Sequence, residues 1–133
     1  MTDTNPEYYK DGPFECIRLA EQFSFSVGNV IKYVWRYKDK GHPKEDLEKA
    51  LWYARNAHER GESFNRIRWF DNPHDKSGTF RSKLDALTLI WVKYLHCKSR
   101  TERDFWAAMF DDDENDGTKV IQTLETLIKE TEA

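Results

Sequence analysis

The chain has 133 residues, 34% of them charged and 14% aromatic, with a formal net charge of -3 at pH 7. That size favours one domain, 1–133, with a core that needs neither metal nor disulfide, and the aromatic content argues against a disordered chain. The mild negative balance gives no overall pull toward nucleic acid, so any anion site has to come from local placement of Lys and Arg.

Residues 1–12 read as a polar arm carrying Tyr8 and Tyr9. The arm has neither the basic region nor the apolar run of a signal peptide, and no segment approaches the length of a membrane span. A soluble, cytoplasmic protein with no membrane partner is expected. Pro13 suits a first helical position, and Phe14, Ile17, Leu19 and Ala20 give a short helix over about 13–22. A second helix starts near Ser26 and presents Val27, Val30, Ile31, Val34 and Trp35 as one apolar stripe; Gly41 and Pro43 stop it by Lys40. Pro43 opens a third helix, with Glu45 and Asp46 at its positive end, a stripe of Leu47, Ala50, Leu51, Ala54 and His58, and Gly61 as its stop. The short turn between them predicts an antiparallel pair.

Residues 62–78 are rich in turn formers and read as a loop. A long helix follows over Phe80 to Lys98, with Leu84, Leu87, Ile90, Trp91, Tyr94 and Leu95 inward. Thr101-x-x-Asp104 resembles a capping box ahead of a short helix carrying Phe105, Trp106, Met109 and Phe110. After an acidic run, Gly117-Thr118 leads into a last helix with Val120, Ile121, Leu124 and Leu127 on one side. No segment alternates with period two. The fold class is all-α, an irregular bundle of about five or six helices.

On a wheel of about 100° per residue, Asn29, Lys32 and Arg36 fall opposite the stripe of the second helix, with Tyr33 at the edge. Lys and Arg on one face can hold phosphate oxygens; Asn offers a donor and an acceptor to a base or sugar, and Tyr a ring for stacking. Asp46, Lys49 and Tyr53 share one flank of the third helix, where Asp46 can orient Lys49 or Arg36 or accept a proton. Glu15 is a further acid within reach of the same groove.

Tyr9, Gly12, Glu15-Cys16-Ile17, Gly28-Asn29, Lys32-Tyr33, Arg36, Lys40-Gly41, Asp46-Leu47, Lys49-Ala50 and Trp52-Tyr53 together resemble the SaV-like domain of phage and prophage proteins, over roughly residues 6–60. Proteins of that family are often called phage nucleotide kinases. The resemblance implies a nucleotide ligand, with Tyr9, Glu15, Asn29, Lys32, Tyr33, Arg36, Lys49 and Tyr53 binding and Lys32, Arg36 and Asp46 catalytic. It also implies ATP or another nucleoside triphosphate as phosphate donor, and the host cytoplasm as the location of a phage-encoded chain. The chain departs from the pattern at Tyr8-Tyr9, where the family carries His-Tyr. Residues 62–133 are a helical extension outside the resemblance.

No GxxxxGK[ST] loop is present, so charge neutralisation in a phosphotransferase falls to Lys32, Arg36 and Lys49. Alternatives are a non-catalytic nucleotide-sequestering or host-interaction module and an all-α nucleotide pyrophosphatase-like hydrolase. The last rests on Glu45-x-x-Glu48 and Glu59-x-x-Glu62, where the second pair straddles Gly61 and lacks the Asp such sites use. The run Asp111 to Asp116 fails the calcium-loop pattern, because with Gly117 as the loop glycine the last ligand position is Thr123; it reads as a solvated loop ending in a helix cap. His42, His58, His74 and His96 lack ligand spacing, so no metal site is assigned, and His58 reads as a core-edge residue. Cys16 and Cys97 lack CxxC spacing and fit unpaired thiols in a reducing compartment, Cys97 as a buried one. Arg66-Ile67-Arg68-Trp69-Phe70 reads as an ordered loop or a lid over a nucleotide. Five Trp and eight Phe are many for this length to bury alone, which predicts a homo-oligomer.

Overall fold

The computed structural model describes residues 16–39, 41–65, 86–110 and 114–132. Among these, six helices and no strand are present: α1 (Cys16–Ala20), α2 (Phe25–Arg36), α3 (Pro43–Glu59), α4 (Ala86–His96), α5 (Arg100–Met109) and α6 (Thr118–Glu132). The all-α bundle expected from the periodicities is the fold observed. The expected start of the first helix, the amino-terminal part of the helix placed over Phe80 to Lys98, Lys40, His74, Arg66 to Phe70 and Asp111 to Asp113 lie outside the described residues.

Ser24 begins α2, its hydroxyl accepting the N–H of Val27 at 3.4 Å. The helix ends at Arg36, ahead of the Lys40 limit as expected: the chain tightens into a turn in which Asp39 N–H donates to the Arg36 carbonyl at 2.9 Å, and Tyr37 turns inward. Pro43 occupies the first turn of α3 as expected. At its other end Gly61 N–H donates to His58 and Glu62 N–H to Ala57, with Gly61 at φ +70°, the paired bonds of a Schellman cap.

α2 packs along α3, α3 along α6, α6 on α5, α5 on α4, and α1 on α2. The core they enclose runs from Leu19, Val27, Val30 and Ile31 through Leu47, Ala50 and Ala54 to Phe105, Trp106, Val120 and Leu124, all fully buried. Gly28 lets α1 come close, since a Cβ there would stand 2.8 Å from the Ala20 carbonyl oxygen. Phe64, at the start of the expected loop, is also fully buried; its N–H donates to the Asn115 carbonyl, and its ring lies where a Cβ on Gly117 would be.

Three expectations need correction. Among the described side chains of α4, Ile90 is buried and Tyr94 packs on the core as expected, but Trp91 and Leu95 are exposed and Leu89 is buried in their stead; the Leu84 and Leu87 side chains lie outside the described ones. The cap of α5 is Ser99, which accepts the Glu102 N–H at 3.3 Å, so Thr101-x-x-Asp104 is not the box. Ser99-x-x-Glu102 has the box spelling, but the Glu102 side chain goes into the core. His58 is exposed, and Ala57 takes its place on the buried stripe of α3; the His58 ring stands 2.7 Å from the Asp116 carbonyl.

Candidate functional site

The seam between α2 and α3 gathers most of the polar residues expected to form a site. Its rungs run antiparallel: Asn56 donates to Ser26 at 3.1 Å, Tyr33 stacks on Tyr53 with centroids 6.0 Å apart and planes 15° off parallel, and Arg36 meets Asp46. The Tyr33 ring is the centre. Arg36 lies 4.7 Å from its centroid, Lys32 5.3 Å and Lys49 5.7 Å, so three cations from two helices surround one aromatic ring.

The Arg36–Asp46 pair is lopsided. Nε and Nη2 both donate to Oδ1, at 3.3 and 3.1 Å, and Oδ2 is buried without a hydrogen-bond partner. Only 12% of the Arg36 side chain and 4% of that of Asp46 are exposed. Arg36 therefore does not stand on an open face opposite the core, as the helical wheel suggests. α2 has neighbours on several sides, and its polar row lies in the seam with α3. Lys49 keeps a looser ion pair with Glu45 at 3.4 Å, one turn away on the exposed side of α3. Asn29 donates a side-chain hydrogen to the Phe25 carbonyl at 2.8 Å, which commits one of its donors to its own helix. Tyr9 and Glu15 lie outside the described residues.

Two rings that spacing did not single out border the cluster. Phe25 and Trp52 are 78% and 63% exposed, and each meets the edge or face of Tyr53 almost at right angles, with centroids 6.2 and 5.0 Å away. The signal was present in the sequence: both rings sit off the apolar stripe of their helix, where an aromatic residue has no core to fill. Beyond Trp52 a shallow cleft of about 330 Å³ continues along α3, lined by Glu48, Leu51, Trp52, Arg55, Asn56 and Glu59.

A second polar cluster lies at the carboxyl-terminal turn of α2. Glu102 is fully buried and accepts from Tyr37 (3.2 Å), Cys97 (2.9 Å) and Trp106 (3.0 Å), with Lys38 Nζ 2.8 Å away. Burial pushes its carboxyl up, but the bonds from Cys97, Lys38 and Trp106 outweigh burial, so its pKa is lowered. Burial, helped by Glu102, holds the Cys97 thiol up at about 12, and burial holds Cys16 at about 12 against the nearby charges of Lys93 and Lys32. Both cysteines are free and buried, and neither is a poised nucleophile. Because Tyr37 and Lys38 follow Arg36 directly, Glu102 anchors the turn that ends the cation row.

Among the described residues no group of three or more His, Cys, Asp or Glu side chains is placed to hold a metal ion, and no helix is long and apolar enough to cross a membrane. Of the acidic run, Glu114 and Asp116 are exposed and the run ends in a helix cap as expected, while Asn115 is built into the fold. Asn115 is buried, donates to the Ala108 carbonyl and accepts the Gly117 N–H, and Asp116 caps α6 by accepting from Thr118 at 3.0 and 2.8 Å.

Residues 4–55 match the model of a family described as proteins of unknown function, DUF3310. The matched stretch contains the whole Tyr33 cluster and ends within α3. No curated protein and no solved structure is significantly similar to the chain.

Proposed function

We propose that this chain is a nucleotide-binding protein of phage or prophage type, which takes the phosphates of its ligand at the Tyr33 cluster. The observation that carries the reading is the convergence of Lys32, Arg36 and Lys49 on one ring from two helices. Asp46 holds Arg36 in place, the exposed Glu45 holds Lys49 only loosely, and Arg and Lys side by side suit phosphate oxygens. Trp52, Phe25 and Tyr53 supply aromatic surface for a base beside those cations. In this reading Asp46 orients Arg36, and Asn29 and Tyr33 meet the sugar or the base.

The chemistry that fits is transfer of the terminal phosphate of a nucleoside triphosphate to a nucleoside monophosphate. The three cations would neutralise the charge that a phosphate-cradling loop neutralises elsewhere. A second reading, binding without turnover, is favoured by the state of Asp46. Its Oδ1 is taken by Arg36 and its carboxylate is buried, so it serves as a positioning group more readily than as a base.

Incubation with each nucleoside mono- and triphosphate, read by thermal unfolding and by product analysis, tests both. A ligand that binds raises the unfolding temperature by mass action. A diphosphate product supports the kinase reading, and stabilisation without product supports sequestration. Absence of any shift with every nucleotide defeats both, as does undiminished affinity in the Lys32→Ala, Lys49→Ala double variant.

A further inference from the structure

Two exposed rings border the Tyr33 cluster. Phe25 and Trp52 flank Tyr53, at 6.2 and 5.0 Å between centroids and at 75° and 88° to its plane. Neither is needed by the core, since 78% and 63% of their surfaces remain open. A mononucleotide has a single base and can cover one of them.

The spacing narrows the ligand. Through Tyr53 the two ring centroids are at most about 11 Å apart. Bases in a stacked strand repeat about every 3.4 Å, so this upper bound admits at most about three steps of one strand. It leaves little room for two separate nucleosides laid end to end through their phosphate chains. The surroundings match a strand as well. Lys32 and Lys49 lie against Tyr33, which stacks on the same Tyr53 that the two exposed rings meet, and beyond Trp52 the cleft along α3 presents Arg55 to a continuing backbone. The ion pairs that now occupy Lys49 and Arg55, with Glu45 and Glu125, are solvent-exposed and exchange readily for phosphate. Open aromatic platforms interleaved with cations are the arrangement by which single strands are held without sequence preference.

We propose that the ligand of this face is a short single strand of nucleic acid, with bases stacked on Phe25 and Trp52 and neighbouring phosphates on Lys32 and Lys49. The proposal rests on the nucleotide reading of the Tyr33 cluster and extends it from one nucleotide to several.

Fluorescence anisotropy of labelled thymidine oligonucleotides of one to eight residues, with wild-type protein and with Phe25→Ala, Trp52→Ala and the double variant, decides it. Both side chains are exposed, and circular dichroism with thermal unfolding confirms that each variant is folded. Affinity is expected to rise at least tenfold from one residue to three or four and then level off. Each single change should cost the longer oligonucleotides roughly tenfold. The double change should bring them down to the affinity of the mononucleotide. A mononucleotide that binds as tightly as an octamer, or variants that bind octamers like wild type, overturns the proposal while leaving the nucleotide reading intact. Binding of oligonucleotides without any mononucleotide effect upholds the strand and removes the mononucleotide reading. If nothing binds and Phe25→Ala with Trp52→Ala instead dissociates an oligomer in sedimentation, the face belongs to a second copy of the chain and the proposal falls. If nothing binds and no oligomer is present, it falls as well.

Discussion

Arg36 donates twice to the same oxygen of Asp46, at 3.3 and 3.1 Å, and leaves the other carboxylate oxygen buried without a partner. A guanidinium and a carboxylate can meet with two parallel bonds. Here the geometry is set by what surrounds the pair: the Arg36 guanidinium also lies against Tyr33, and Asp46 sits in the first turn of α3, where its charge suits the positive helix end. The pair clamps the end of α2 to the start of α3 and fixes the cation nearest the ring.

Removing one partner should therefore cost far more than removing both. Asp46→Ala takes the Asp46 carboxylate away from a nearly buried guanidinium and should lower stability by about 3 kcal/mol in urea unfolding. Arg36→Leu combined with Asp46→Leu should lie within about 1 kcal/mol of wild type, because two packed apolar groups replace a desolvated pair. Equal losses in the single and double variants would show that the pair holds the helices together through its charge.

Two glycines with positive φ, Gly61 and Gly117, should respond very differently to alanine. Gly61 has φ +70° with open space where a Cβ would point, so Gly61→Ala should cost only the left-handed strain of an L-residue, roughly 1–2 kcal/mol. Gly117 has φ +90°, and a Cβ there would run into the fully buried Phe64 ring. Gly117→Ala adds a core clash to that strain and should cost roughly 3 kcal/mol or more. Gly117→Ala paired with Phe64→Leu should recover part of the loss, which chemical denaturation of the three variants measures.

Much of this architecture was legible in the sequence because it rests on local chemistry. Pro43, Gly61 and the stripe of Val27, Val30, Ile31 and Val34 each report a helix end or a buried face through steric rules that hold in any context. What was not legible depended on partners far along the chain. Nothing in the local sequence marks Glu102 for burial, and only the arrival of Tyr37 and Lys38 from the other half of the molecule makes it a buried acceptor. Trp91 matches the inward period of its helix as well as Leu89 does; which face turns inward is settled by the neighbours α4 meets. Within the site, spacing brought together Lys32, Tyr33, Arg36, Asp46, Lys49 and Tyr53, but a wheel drawn for one isolated helix put Arg36 in open solvent instead of in the seam.

Glu102 should govern the acid limb of stability. Its folded carboxyl ionises below the ordinary 4.5, because the bonds from Cys97, Lys38 and Trp106 outweigh burial. Between that lowered value and 4.5 the unfolded chain binds the proton more readily than the folded one, so stability rises with pH through this window and is flat above it with respect to this group. The contribution is present near neutrality and is lost as pH falls through the folded value. Glu102→Gln should lower stability at pH 7 by about 3 kcal/mol, since it removes a buried anion bonded to four groups, and should flatten the slope below pH 4.5. A variant with the wild-type acid slope would assign that limb to other carboxylates.

The exposed edge of the site gives a change that should improve binding. Lys49 divides its attention between the Tyr33 ring, 5.7 Å away, and Glu45, 3.4 Å away and one turn earlier on the same helix. An incoming phosphate has to compete with that carboxylate and is also repelled by it. Exposed pairs of this kind contribute little to folding, so Glu45→Gln should leave the unfolding midpoint almost unchanged. It should also strengthen nucleotide binding by about twofold to fivefold, the equivalent of a modest surface charge interaction. The gain should shrink as salt is raised, because both charges are within reach of screening ions. Titration calorimetry at low and high salt measures it. An affinity that is unchanged or weaker in Glu45→Gln at low salt would mean that the phosphate does not sit at Lys49, and the assignment of the cluster would have to move toward Lys32 and Arg36.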